Sequence, residues 1–226
     1  MRIAARFKKG EQVRFVSHLD VQRMFQRSFR RAGIPVAYSQ GFNPHPLTSF
    51  ATALSVGCSS DAEWIDVKLD RDMSLTEFSM KLNSALPNGF FVCEAIEVGD
   101  NTPSLSVLMS AAEYRVLVNA DTPENAADLK TVLDELICGA ITVTKRGKGG
   151  EKEVDIAPQI LKATVLSACE TSCILDVVGM LNASGGLNME LFMKALTDRW
   201  PHIKSYAVHR MNIFSDDGRI LPKKPI

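Results

Sequence analysis

Two stretches of the chain follow the same local grammar. Ser17-His-Leu-Asp20 and Ser74-Leu-Thr-Glu77 each place a serine three positions before a carboxylate. In such a capping box the serine hydroxyl accepts from the backbone N–H three residues on, and the acid can reach back to the serine N–H, so each marks a helix start. Behind the first, Val21, Met24, Phe25, Ser28, Phe29 and Ala32 recur at three- and four-residue spacing. One apolar stripe of that kind predicts a helix to about Ala32. Gly33 stops it and Pro35 prevents its return. Behind the second, Leu75, Phe78, Leu82, Ala85 and Leu86 form a like stripe that ends at Pro87-Asn-Gly.

Strand-like runs frame these helices. Residues 2–7 are short enough to open a sheet, residues 47–54 read as a strand, and residues 64–70 alternate Ile65, Val67 and Leu69 with Asp66, Lys68 and Asp70. Residues 90–98 complete the order β-α-β-β-α-β, the ferredoxin-like split βαβ unit. Gly99-Asp-Asn-Thr-Pro-Ser-Leu-Ser106 reads as a linker. Beyond it the order begins again: a strand at 113–119, a helix capped by Thr122-Pro123 and stopped by Gly139, a strand at 172–178, a helix at 187–200 and a strand at 203–214. Residues 141–145 and 151–156 flank Arg146-Gly-Lys-Gly-Gly as an inserted hairpin with a basic tip, and 159–167 fits strand or helix equally. Residues 184–187 read as a turn, and the tail from Ser215 as irregular. The expected fold is α+β, with two ferredoxin-like lobes in tandem over 1–99 and 107–226, the second carrying the hairpin.

The charge balance narrows the partners. Net charge is zero, yet residues 1–50 carry nine Lys or Arg against two acids, a surplus of seven that the other 176 residues offset. Segregation of this kind concerns what the surface meets, here an anion, and not the fold. No run approaches the ~20 apolar residues of a membrane span, and no secretory signal opens the chain, so a cytoplasmic location is expected. Five cysteines form no evident disulfide framework. Cys169 and Cys173 have a C-x3-C spacing without close further ligands, which suits small buried side chains better than a metal or redox pair. No metal or cofactor is expected.

The surplus collects on the first helix and the loop behind it. Arg23, Arg27, Arg30 and Arg31 lie away from the apolar stripe, Arg14 precedes the helix, and no Glu or Asp stands at i±4 to pair the helical four. They read either as a solvated face or as phosphate contacts, to which a guanidinium is suited by its fork of donors. The loop Tyr38-Ser-Gln-Gly-Phe-Asn-Pro-His-Pro46 brings Tyr38, Ser39, Gln40, Phe42, Asn43 and His45 into nine residues, with Gly41 free to adopt a left-handed conformation. It reads as a rigid self-satisfied loop or as a surface for single-stranded RNA, where rings stack on bases and amides read edges. His18, in the first turn of the helix, and His45 are each candidates for a hydrogen-bonding structural role or for an acid–base role. Dinucleotide, Walker, zinc-protease and serine-hydrolase motifs are absent from the sequence.

Three functions fit. The first is a binding module that holds RNA on Arg14, Ser17, Asp20, the four helical arginines and the 38–46 loop. The second is a metal-independent RNA-processing or transferase enzyme using His18 or His45. The third is a protein for a small anionic ligand, such as a nucleotide or a cobalamin-related molecule.

The segments Arg14-Phe-Val-Ser-His-Leu-Asp20, Arg30-Arg-Ala-Gly-Ile-Pro35 and Tyr38 to Pro46, with Ser49-Phe-Ala51, Val56-Gly57, Pro103-Ser-Leu105, Ala112-Glu-Tyr114 and Val154-Asp-Ile156, resemble the radical SAM-linked family of uncharacterised bacterial proteins. Members stand alone or form a C-terminal part of B12-type radical SAM proteins. The resemblance implies a radical SAM protein as partner and RNA metabolism, tRNA or rRNA, as the setting, and it supplies no catalytic residues. Radical SAM chemistry itself is not expected in this chain, because Cys173 is followed by Ile174, Leu175 and Asp176 where a cluster motif needs a third cysteine. The Arg-Thr-Asp-like strand end of pseudouridine synthases is missing too.

Overall fold

The computed structural model describes residues 1–147, 150–183, 185–218 and 220–224. It divides into two units, Met1–Met109 and Ser110–Ile226.

The first unit holds β1 (Arg2–Lys9), α1 (His18–Arg31), β2 (Thr48–Phe50), β3 (Cys58–Lys68), α2 (Leu75–Ala85), β4 (Phe90–Glu97) and a single turn, α3 (Leu105–Leu108). Its sheet is antiparallel throughout, in the order β4-β1-β3-β2. Side chains alternate across a strand, so Ile3, Ala5 and Phe7 share one face with their partners Val67, Ile65 and Glu63. The stripe of α1 (Val21, Phe25, Phe29) and that of α2 (Phe78, Leu82) pack on this face as one core. Phe7 and Phe25 meet edge to face with ring centroids 4.7 Å apart, the geometry aromatic quadrupoles favour.

On the opposite face the link between β4 and α3 is pinned by one side chain. Arg2 Nε donates to both carboxylate oxygens of Asp66, at 2.9 and 3.0 Å. Its outer nitrogens donate to the carbonyls of Thr102 and Pro103. The residues expected to be a plain linker therefore form an ordered strap on the first unit.

The second unit holds β5 (Met109–Ala120), α4 (Pro123–Ile137), the hairpin β6 (Thr142–Gly147) and β7 (Gly150–Asp155), β8 (Ile160–Cys169), β9 (Ser172–Asn182), the two-residue β10 (Gly185–Gly186), α5 (Met189–Arg199) and β11 (Ile203–Ser215). Its strands run β11-β5-β9-β8, with β6 and β7 as a separate ribbon. Leu129 and Leu133 of α4, Phe192 and Leu196 of α5, and Leu175 and Val177 of β9 are fully buried.

Several boundaries differ from expectation. β2 is three residues long because the chain leaves the ladder after Ala51 N donates to Trp64 O. β3 begins six residues early, at Cys58, because Ser59, Ser60 and Glu63 are buried polar residues that break the apolar alternation that marks a strand. The ambiguous 159–167 stretch is β8, paired only with β9. Gly185 and Gly186 pair with Asn182 and Leu181, not as a bare turn, while Ser184 lies outside the described residues. The tip of the inserted hairpin, 148–149, does too. The tail folds back, with Leu221 buried and Lys224 N donating to Ser215 O. Cys169 is exposed, whereas Cys173 is buried with its thiol against the Ala126 carbonyl, so the two face different surroundings.

Candidate nucleic-acid interface

The start of α1 is built as the capping box requires, with one change. Ser17 Oγ accepts from Asp20 N at 3.2 Å, but it also donates to Asp20 Oδ2 at 2.7 Å, so the carboxylate meets the hydroxyl and not the Ser17 N–H. That bond, with Arg23 beside it, holds the Asp20 carboxyl below its ordinary range. Ser17 and Asp20 thus serve the helix itself.

The arginines separate into two classes. Arg23 pairs with Asp20 at 3.2 Å. The i−3 position supplies the acid that the i±4 positions lack, which corrects the expectation of four uncompensated charges. Arg31 donates to Ser28 Oγ at 3.2 Å and to the carbonyl of Ala85 at the end of α2, so it caps a helix C-terminus. Arg14 pairs with Glu11 and lies over the exposed ring of Phe15 at 4.6 Å. Arg27 and Arg30 are exposed, and their guanidinium groups make no hydrogen bond or close ion pair with any described residue.

The loop behind α1 is braced at its base and open at its tip. Gly33, at φ +63°, ends the helix, and Ile34 N returns to Phe29 O. Ala37 N donates to Lys68 O, and Val36 bridges Leu69, tying the loop to the end of β3. Tyr38 bridges Pro46. Ser39 N donates to His45 O at 2.9 Å, His45 N donates to Ser39 Oγ at 3.1 Å, and Ser39 Oγ shares a hydrogen bond with His45 Nδ1 at 2.8 Å. Ser39 is therefore the brace of the loop. Gly41 turns the tip at φ +125°. There Phe42 is fully exposed, Tyr38 is half-exposed, and Gln40 and Asn43 have no side-chain partner among the described residues. Seven residue steps separate Arg30 from the loop base at Ala37, so Arg30 stands within roughly 25 Å of it by chain reach alone.

The two histidines do not converge. His18 borders a cavity of about 10 Å³ with Lys9 and Glu63, and its ring meets Phe50 edge to face. Burial pushes its pKa below the ordinary histidine value; Glu63 opposes the shift and Lys9 adds to it. Lys9 Nζ donates to the carbonyls of Arg14 and Val16, fixing the turn that leads into α1. His45 instead lines a cleft with Asp66 and Lys68. Glu63 and Asp66 lie on opposite faces of β3 by alternation. One reacting atom cannot meet both imidazoles within this unit. Lys68 was read only as the polar side of a strand, because an exposed strand lysine carries no functional pattern. Among the described residues no three His, Cys, Asp or Glu side chains group as a metal site would require, and no helix is long and apolar enough to cross a membrane.

Similarity to solved structures spans nearly the whole chain. A Cbf5-Nop10-Gar1 complex contains a chain that matches 93% of this one at 10% identity, with a TM-score of 0.53. A chain of an H/ACA RNP bound to a substrate RNA containing 2′-deoxyuridine matches 93% at 9% identity, with a TM-score of 0.50. This chain spans about half the length of each, 48% and 47%, and the likeness is one of α+β fold alone. No curated protein matches the sequence. The model of a family described as uncharacterised proteins conserved in bacteria, DUF2344, matches residues 2–188, and the chain belongs to that family.

Proposed function

We propose that the protein is a tandem of ferredoxin-like units that binds RNA through its first unit, as an accessory to an RNA-modifying or RNA-processing enzyme. The observation that carries this reading is the pairing of a braced loop that holds Phe42 and Tyr38 in solvent with two exposed helix arginines, Arg27 and Arg30, whose guanidinium groups form no close ion pair among the described residues, Arg27 feeling only the field of Asp20. Exposed rings held at low conformational cost stack on bases, and unpaired guanidinium groups take phosphates. The strand order of each unit, four-one-three-two by position in its own βαββαβ run, supports the ferredoxin-like assignment. The fold shared with an RNA-bound ribonucleoprotein supports the setting as analogy alone. Bulk tRNA or rRNA fragments are the natural targets, and a radical SAM protein is the partner class supplied by the sequence resemblance.

The separation of His18 from His45 argues against one acid–base site that uses both. The test is direct titration of labelled tRNA and rRNA fragments with the protein and with Arg27→Ala/Arg30→Ala at low ionic strength. Binding by the parent that the double variant weakens supports the reading, and no binding at low salt removes it.

A further inference from the structure

The cleft beside the loop has chemistry that RNA binding by the helix and loop tip does not use. It has a volume of about 440 Å³, is confined to the first unit, and is lined by Arg2, His45, Thr48, Ser49, Asp66 and Lys68, with Pro46 and the strap hydroxyls Thr102 and Ser104. That volume lies within the ~300–1,000 Å³ of small-ligand pockets. Its charges do not cancel. Arg2 is spent on Asp66 and on the strap carbonyls, so that pair is neutral. Lys68 stands exposed next to it, and its ammonium meets no described partner. His45 is held by Ser39 through Nδ1, which leaves its Nε2 edge for a ligand. An ammonium, an imidazole and the hydroxyls of Ser49, Thr102 and Ser104 around a mixed polar and apolar floor select an anion with further hydrogen-bonding groups, and reject a cation.

We propose that this cleft binds a single ribonucleotide unit, with its phosphate on Lys68 and the Ser49 and Ser104 hydroxyls, and His45 Nε2 beside the phosphate or ribose. The proposal deepens the RNA reading and rests on it. A nucleotide is favoured over inorganic phosphate because the apolar part of the lining, Pro46 and Leu47, needs a ribose or base to cover it. The base of the loop that presents Tyr38 also forms this wall, since Tyr38 bridges Pro46.

The test is calorimetric titration of the full chain with each ribonucleoside 5′-monophosphate, with uridine and with inorganic phosphate. Lys68→Ala is the variant, since an exposed side chain without partners can be removed without unfolding the sheet, as an unchanged melting temperature would verify. Loss of one charge-assisted phosphate contact weakens monophosphate binding about tenfold or more. Uridine binds the parent and Lys68→Ala alike, and more weakly than uridine monophosphate. Monophosphates that bind Lys68→Ala as well as the parent, or no better than inorganic phosphate, overturn the proposal, as does no monophosphate binding at all. Failure of the broader reading is distinguishable. Arg27→Ala/Arg30→Ala leaves monophosphate binding unchanged, so monophosphate binding without long-RNA binding keeps the cleft and removes the helix surface. Long-RNA binding without monophosphate binding does the reverse.

Discussion

Asp66→Ala removes the counter-ion of a guanidinium that is almost out of solvent. The Arg2 and Asp66 side chains keep only 13% and 9% of their exposure. Breaking a buried pair by deleting one partner costs ~3–5 kcal/mol, because the remaining charge is stranded away from water. Arg2 would retain its two carbonyl bonds to Thr102 and Pro103, which points to the low end, about 3 kcal/mol. At a urea dependence of ~2 kcal/mol per molar, the midpoint falls by roughly 1.5 M. Two units need not unfold together, so the readout must be local. Trp64 and Trp200 are the two tryptophans of the sequence, one in each unit, both buried. In a Trp200→Phe background the fluorescence of Trp64 follows the first unit alone. The control is Arg2→Met with Asp66→Leu, which strands no charge and should recover stability to within ~1 kcal/mol of the parent. A loss under ~1 kcal/mol for Asp66→Ala, or a double variant as unstable as the single one, would refute the reading of Arg2 and Asp66 as a buried pair whose breaking strands a charge.

Phe42→Ala removes a ring with no internal role, so stability stays within ~0.5 kcal/mol while affinity for single-stranded RNA falls by ~1–3 kcal/mol; equal affinities measured by fluorescence anisotropy would show that the ring stacks on nothing. His18 gives a pH signature. Its folded pKa lies below its unfolded value of 6.5, so the unfolded chain takes up the proton first and the contribution to stability falls as pH descends through 6.5 toward the depressed folded value. Melting temperatures from pH 7.5 down to pH 5 should therefore bring the parent and His18→Gln closer together, with Glu63, Lys9 and Gln22 still facing the site; a gap that stays constant or widens contradicts a half-buried imidazole held neutral by desolvation.

How far the sequence could be read depended on the range of each interaction. α1 was legible because cap, stripe and stop all lie within seventeen residues and agree. The Ser39–His45 brace was half legible, since both residues sit in a nine-residue loop, but their mutual bond follows from the turn at Gly41, which only coordinates reveal. Asp20 was seen as a cap and missed as the partner of Arg23, because an i±4 search passes over i−3. Arg31 was read as a phosphate ligand, and its carbonyl acceptor lies 54 residues away. The Arg2 clamp spans 64 residues to Asp66 and about a hundred to the strap, and no local pattern reports contacts of that range. The early start of β3 was hidden for a different reason: its buried residues include Ser59, Ser60 and Glu63, and buried polar groups erase the alternation on which strand reading relies.

The most direct measurement compares salt dependence. Arg27 and Arg30 are assigned to phosphates, whereas Arg23 and Arg31 are engaged by the protein. Each lost phosphate contact on a single strand flattens the plot of log affinity against log salt by about 0.7. Arg27→Ala/Arg30→Ala should thus lower the slope by about 1.4 without a change in melting temperature. A slope identical to that of the parent would show that these arginines face solvent and nothing more.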